Sequence, residues 1–216
     1  IYPLGVFDPG DVLRRIEEDR ITVMPGAPTI FQTIMDHPDF DKRDLSSLRL
    51  ATTGATVIPV DLIRKMHEVI GIDHVYSAYG LTETCGPACV MDSANAVLKP
   101  EATGKAFFHT EVKIADASGA TCAPGVAGEV LVRGEHIMTE YWNRPDATAE
   151  TIVDGWLHTG DVATMDEQGF VFIQDRIKDM IISGGENVYP AEIEGVLGAH
   201  PGISEAAVIG QQSCLL

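Results

Sequence analysis

The sequence predicts an α/β fold in three parts: a parallel α/β subdomain, a small β-barrel-like subdomain, and the start of an α+β C-terminal domain. Three observations lead there. Up to about residue 102, helical and strand patterns alternate. From about Thr103, short strands follow one another with Gly, Pro and Asp turns and no long helix between them. From about Lys178 the pattern switches again, to strand, helix and strand. The expected boundaries are therefore 1–102, 103–177 and 178–216.

In the first part, Asp8-Pro9 reads as an N-cap and first turn, and Val12, Leu13 and Ile16 give the apolar face of a helix running to about Asp19. ITVMP at 21–25 reads as a short buried strand. A helix follows over 29–35, ended by His37-Pro38, and LRLATTG at 48–54 is an apolar strand breaking at a glycine. IPVDLIRKMHEVIG at 58–71 places Leu62, Ile63, Met66, Val69 and Ile70 on one helical face, and HVYSAYG at 74–80 returns as a strand. This alternation indicates a parallel sheet, which binds ligands at the carboxyl ends of its strands. TTGAT and YGLTE both lie just after a strand.

In the second part, EVKIAD, GEVLVRG and VFIQD read as strands. Gly155 and Gly160 are read as bracketing a turn that leaves Asp161 displayed at a strand edge. Asp166-Glu167-Gln168-Gly169 is the tight connection of a hairpin between VATM and FVFIQD. DRIKD then puts charges of both signs where a strand would continue apolar, and Gly184-Gly185 supply backbone freedom. Pro190 opens a helix whose first turn, Ala191-Glu192-Ile193-Glu194, carries acids that the helix dipole favours. PAEIEGVLGAH reads as helical and SEAAVIG as extended.

With 32 acidic against 15 basic residues the net charge is -17, which repels nucleic acid and anionic headgroups, so no nucleic-acid partner is expected. The 45% hydrophobic content supports a substantial core. Its apolar runs fall far short of the ~20 residues a spanning helix needs. No transmembrane segment is expected, and peripheral membrane contact of the parent protein stays open. Cys85, Cys89, Cys122 and Cys214 form no CxxC pair or zinc spacing, which suits reduced thiols in a cytoplasm. Gly86-Pro87, between Cys85 and Cys89, argues for a loop there. The chain enters on YPLGVFDPGD without an initiator Met and is read as an internal fragment.

YGLTE at 79–83, TGD at 159–161, DRIKDMI at 175–181 and GGENVYPAEIE at 184–194, in that order, resemble the core motifs of adenylate-forming acyl-CoA synthetases, close to the bacterial long-chain and medium-chain fatty-acid–CoA ligases. The resemblance runs from Ile1 to about Gly210, and QQSCLL departs from it. It implies ATP, Mg2+ and CoA as cofactors and a fatty acid or other small carboxylic acid as substrate. The carboxylate and ATP would give an acyl-adenylate and pyrophosphate, and CoA would then displace AMP. Such chemistry needs a polarised α-phosphate, a divalent cation and a grip on adenosine.

The resemblance also implies roles for particular residues. The catalytic ones are Thr82, hydrogen bonding phosphate, Glu83, the magnesium ligand, and Lys178, the hinge about which a C-terminal domain rotates. Tyr79 would stack beside adenine next to Gly80, while Gly54 and Ala55 bring backbone against the adenine and the acyl carbonyl. Asp161 would accept hydrogen bonds from the ribose hydroxyls, with Arg176 reaching the ribose or the phosphate side. Gly184 and Gly185 would line the channel for the pantetheine arm of CoA. Thr56 and Ala78 replace a proline and a glycine common in the family. Cys85, Gly86, Pro87 and the helix start at 25–31 are candidate walls of the acyl pocket.

Plainer roles compete with each of these: Tyr79 as a half-buried aromatic, Asp161 and Arg176 as a simple ion pair, Lys178 as a solvated lysine, Gly184-Gly185 as a turn. Neither a phosphate loop rich in glycine, serine and threonine nor a PxxxxGK segment with a catalytic lysine occurs, so the stretch alone is expected to be inactive. Two alternatives stay open: an adenylation domain loading an amino or aryl acid onto a carrier protein, and a non-catalytic nucleotide-binding module.

Overall fold

The computed structural model describes residues 7–54, 60–183, 186–198, 200, 202–203 and 206–210. They fall into two compact units, Ile1–Leu81 with Gly86–Phe107 and Thr82–Cys85 with Phe108–Leu216.

The first unit starts with α1 (Pro9–Glu18), where Asp8 caps the helix by accepting the Asp11 N–H at 3.1 Å. Leu13 and Ile16 point inward, 0% and 1% exposed. Then come β1 (Val23–Pro25), α2 (Pro28–Met35), β2 (Leu50–Gly54), α3 (Val60–Lys65), β3 (His74–Tyr79), β4 (Cys89–Asp92), α4 (Ser93–Leu98) and β5 (Lys105–Ala106). They build one sheet in the order β1-β2-β3-β4-β5. Phe31 and Ile34 of α2, Ala51 of β2, Val75 of β3 and Met91 of β4 belong to the buried core.

β1, β2 and β3 are parallel, as the alternation implies, and β4 and β5, which the sequence pattern does not mark as strands, extend the sheet antiparallel. The link from Tyr79 to Cys89 is too short for the dozen or more residues of a parallel crossover. It turns back instead, with the Ala88 N–H bonded to the Tyr79 carbonyl at 2.8 Å. Two expectations are corrected here. Among the described residues β1 lies at the end of the sheet beside β2, and Val23 is 42% exposed where a buried strand was expected. Val69 is 53% exposed, although Leu62, Ile63, Met66 and Ile70 are buried as the periodicity implies. After Lys65 the backbone widens into a π-turn over Met66–Ile70, and the wider step rotates Val69 off the apolar face.

The second unit comprises β6 (Thr110–Ala115), β7 (Gly128–Gly134), α5 (Pro145–Thr151), β8 (Ile152–Val153), β9 (Trp156–Met165), β10 (Val171–Arg176), β11 (Ile181–Ser183), β12 (Glu186–Val188) and α6 (Pro190–Gly198). Its main sheet runs β10-β9-β7-β6, antiparallel throughout, with β8 added to β9; β11 and β12 form a separate hairpin. The β9–β10 turn is the one read from the sequence. Asp166 Oδ1 accepts the N–H groups of Gln168 and Phe170, both at 2.9 Å, a side-chain scaffold that favours Asp at that position. The extended segment expected over 204–210 joins no sheet among the described residues; residues 204–205 lie outside them. The Val208 N–H instead bonds Glu194 Oε1 at 2.8 Å, from α6.

Candidate active site

In the first unit the candidate residues sit at the carboxyl ends of β2 and β3. Gly54 closes β2 opposite Ala78 of β3, and a Cβ there would stand 2.6 Å from the Ala78 carbonyl oxygen, a distance no side chain tolerates. The strand pairing itself thus requires glycine. Ala55, and Thr56 after it, lie outside the described residues. Tyr79 is half-buried as the last residue of β3, and Gly80 is exposed beyond it.

In the second unit Thr82–Thr84 form one 3-10 turn, closed by the Cys85 N–H on the Thr82 carbonyl at 3.0 Å. Thr84 is its buried anchor, Thr82 is exposed, and Glu83 is half-buried. The Glu83 carbonyl accepts the Met138 N–H at 2.8 Å, and Glu83 Oε1 accepts the Tyr141 hydroxyl at 2.7 Å. Tyr141 is itself fixed by donating its N–H to Thr148 Oγ1 of α5 at 2.9 Å. The bond to the Glu83 carboxylate, aided by burial, raises the Tyr141 hydroxyl above the ordinary tyrosine range. A hard carboxylate of this kind is the donor magnesium prefers, and magnesium is commonly held by one or two carboxylates plus substrate phosphates and water. The chemistry of Glu83 therefore fits such an ion. No larger cluster of His, Cys, Asp or Glu able to hold a metal occurs among the described residues.

The position of Asp161 is corrected. Asp161 is 5% exposed and lies within β9, between β7 and β10, where display at a strand edge was expected. The strand does not end at Gly160: β9 spans Trp156–Met165, and Gly160, at φ +72°, makes a bulge inside it. Pairing passes from Glu129↔Val162 to Leu131↔His158, so Thr159, Gly160 and Asp161 together face Val130. Thr159 Oγ1 donates to the Val130 carbonyl at 2.8 Å and accepts the Asp161 N–H at 3.1 Å. Across the sheet, Arg176 pairs with Asp161, and its Nε stands 3.4 Å from Asp161 Oδ1. That ion pair joins a buried carboxylate to a largely exposed guanidinium.

Lys178 is exposed in the turn just after β10, where Asp179 and Met180 both donate N–H to the Arg176 carbonyl, at 3.0 and 3.1 Å. Asp175, in β10, accepts the Ala191 N–H on Oδ2 at 3.1 Å and so caps the first turn of α6. Gly184 and Gly185 lie outside the described residues. Of the cysteines, Cys85 is exposed at the start of the loop that Gly86-Pro87 implies, whereas Cys89 is buried in β4, and burial pushes its thiol up to about 12. Glu129, Tyr141 and His158 were not singled out from the sequence. No local spacing ties Tyr141 to Glu83 or Glu129 to Gly160; only strand pairing and the loop before α5 bring them together.

The family model described as AMP-binding enzyme matches residues 2–142. The chain is 48% identical over 211 residues to a 3-[(3aS,4S,7aS)-7a-methyl-1,5-dioxo-octahydro-1H-inden-4-yl]propanoyl:CoA ligase of Rhodococcus jostii, covering 97% of this chain and 39% of that protein. It is 46% identical to a feruloyl-CoA synthase of an Amycolatopsis species, covering 95% of this chain and 42% of that protein. A long-chain-fatty-acid–CoA ligase of Mycobacterium tuberculosis is 40% identical, over 94% of this chain and 40% of that protein. Among solved structures, the unliganded O-succinylbenzoate–CoA synthetase of Bacillus subtilis superimposes with a TM-score of 0.86 at 33% identity, covering 96% of this chain and 44% of that chain. The chain thus spans about two fifths of the length of the relatives it matches.

Proposed function

The chain belongs to the AMP-binding enzyme family, and on that premise we propose that the protein carrying it is an AMP-forming acid–thiol ligase. It activates a carboxylic acid with ATP to an acyl-adenylate, releasing pyrophosphate, and passes the acyl group to CoA, releasing AMP. The observation that carries this reading is that proteins named as CoA ligases and synthetases match 94–97% of the chain at 40–48% identity. The substrate is a fatty acid or another small carboxylic acid, and the cofactors are ATP, Mg2+ and CoA.

The site residues support this division of labour. Thr82 and Glu83 are neighbours in one short turn, a hydroxyl and a hard carboxylate of the kinds that phosphate and magnesium call for. A bound magnesium ion would neutralise charge on the departing pyrophosphate. Asp161 takes the ribose hydroxyls, Arg176 lies next to it, and Tyr79 with Gly54, Ala55 and Gly80 forms the adenine end. Lys178 is the hinge, and Gly184 and Gly185 line the CoA channel. Residues 1–102 and 103–177 are parts of the AMP-binding domain, and 178–216 are the hinge and the beginning of a C-terminal domain. The proposed place of action is the cytoplasm. Separately, no helix among the described residues is long and apolar enough to cross a membrane.

Acid-dependent exchange of labelled pyrophosphate into ATP by the full-length protein tests the first half-reaction. Exchange is expected with a fatty acid and magnesium and not without either. ATP cleavage to ADP and phosphate in place of exchange would overturn the reading.

A further inference from the structure

We propose that Glu129 is a positioning residue for the nucleotide: its carboxylate sets the bulge of β9 that aims Asp161 at the ribose diol. The proposal rests on the reading of Asp161 as the ribose acceptor.

The bulge creates the need. Where Thr159, Gly160 and Asp161 face Val130 alone, the backbone leaves the regular ladder, and an N–H in a partly buried sheet must find another acceptor. Glu129 supplies it. Its Oε1 accepts the Gly160 N–H at 3.0 Å, and its Oε2 lies 2.8 Å from His158 Nδ1. One carboxylate therefore grips the residues on both sides of Thr159, and it does so at only 20% side-chain exposure, where charge-assisted bonds are strong. Thr159 holds the bulge from within through the Val130 carbonyl and the Asp161 N–H, and the Ile177 N–H bonds the Gly160 carbonyl at 2.8 Å from the other side.

Asp161 inherits its position from this frame. Its side chain is 7% exposed, so little of the carboxylate is open to a ligand hydroxyl, and which part is open depends on the bulge staying in place. A carboxylate is not needed at 129 for strand pairing, which uses the backbone facing Val162. The plainer role, general stabilisation of the sheet, predicts that loss of Glu129 weakens every nucleotide alike. Positioning predicts a loss confined to the sugar.

The test compares the affinities of the full-length protein for ATP and 2′-deoxy-ATP by calorimetry, with melting curves for each variant. Wild type is expected to prefer ATP by on the order of tenfold or more, the size of a hydrogen bond to a charged group. Asp161→Ala brings the ratio to about one. Glu129→Ala does nearly the same while keeping its affinity for 2′-deoxy-ATP, and Glu129→Gln, whose amide oxygen still accepts the Gly160 N–H, recovers most of the preference. Should Glu129→Ala not fold, Glu129→Asp keeps the charge but draws the oxygens back by one methylene, and a reduced ratio is expected there too. A wild-type ratio in Glu129→Ala or Glu129→Asp, or an equal loss for both nucleotides, overturns the proposal. No preference in wild type, or an unchanged ratio in Asp161→Ala, overturns the ribose reading of Asp161 and the proposal with it.

Discussion

The hydroxyl of Tyr141 donates to Oε1 of Glu83 at 2.7 Å, tying the loop before α5 to the 3-10 turn that carries Thr82 and Glu83. Removing that hydroxyl by Tyr141→Phe takes away a hydrogen bond to a charged group, so unfolding by urea should show a loss of roughly 1–3 kcal/mol at neutral pH. The bond to Glu83, then burial, raises the hydroxyl's folded pKa. A raised folded value means that the contribution is fully present below the unfolded tyrosine pKa of about 10 and is lost as pH rises through the folded value. The gap between wild type and Tyr141→Phe should thus be constant from about pH 7 to 9 and shrink above about 10. A gap that widens with rising pH would show that the tyrosine is not held by the carboxylate.

Asp161→Ala should weaken ATP binding by roughly 1–3 kcal/mol through loss of the ribose contacts. Because Arg176 is largely exposed, it stays solvated when its partner is removed, and the fold should tolerate the change. An unchanged dissociation constant for ATP in a variant of normal melting temperature would take Asp161 out of the site.

The two cysteines flanking the turn after Glu83 should differ sharply. Cys85 is exposed, while the Cys89 thiol is buried in β4 and pushed up to about 12, leaving almost no thiolate at pH 8. Peptide mapping after iodoacetamide treatment at that pH should find Cys85 alkylated and Cys89 untouched until denaturant is added. Equal labelling in the native protein would contradict the packing of β4.

Helix starts and tight turns were legible because their causes are local. Asp8-Pro9 caps α1, and Asp166 shapes the β9–β10 turn through bonds to residues two and four ahead. Features set by pairing partners far along the chain were not. The antiparallel return of β4 depends on the length of its link, and the exposure of Val69 depends on a π-turn. For the candidate site, TGD marked where Asp161 is but not its burial, since Gly160 reads equally as a strand end or as a bulge inside a longer strand. Glu129 and His158 gain meaning only once β7 lies beside β9.

Lys178→Pro tests movement. Proline fixes φ near -65° and removes an N–H, and it also restricts Ile177 before it. The turn after β10 is closed by the N–H groups of Asp179 and Met180, which the substitution leaves in place. In the full-length protein, single-turnover pyrophosphate release should largely survive while thioester formation collapses. Equal loss of both in a variant of normal melting temperature would count against the hinge.

The most direct measurement gives the full-length protein ATP, magnesium, CoA and a panel of carboxylic acids, and follows products by mass spectrometry. The account predicts an acyl-CoA thioester from a fatty acid, formed in step with equal amounts of AMP and pyrophosphate. Pyrophosphate release with amino acids alone and no CoA thioester from any acid would contradict it.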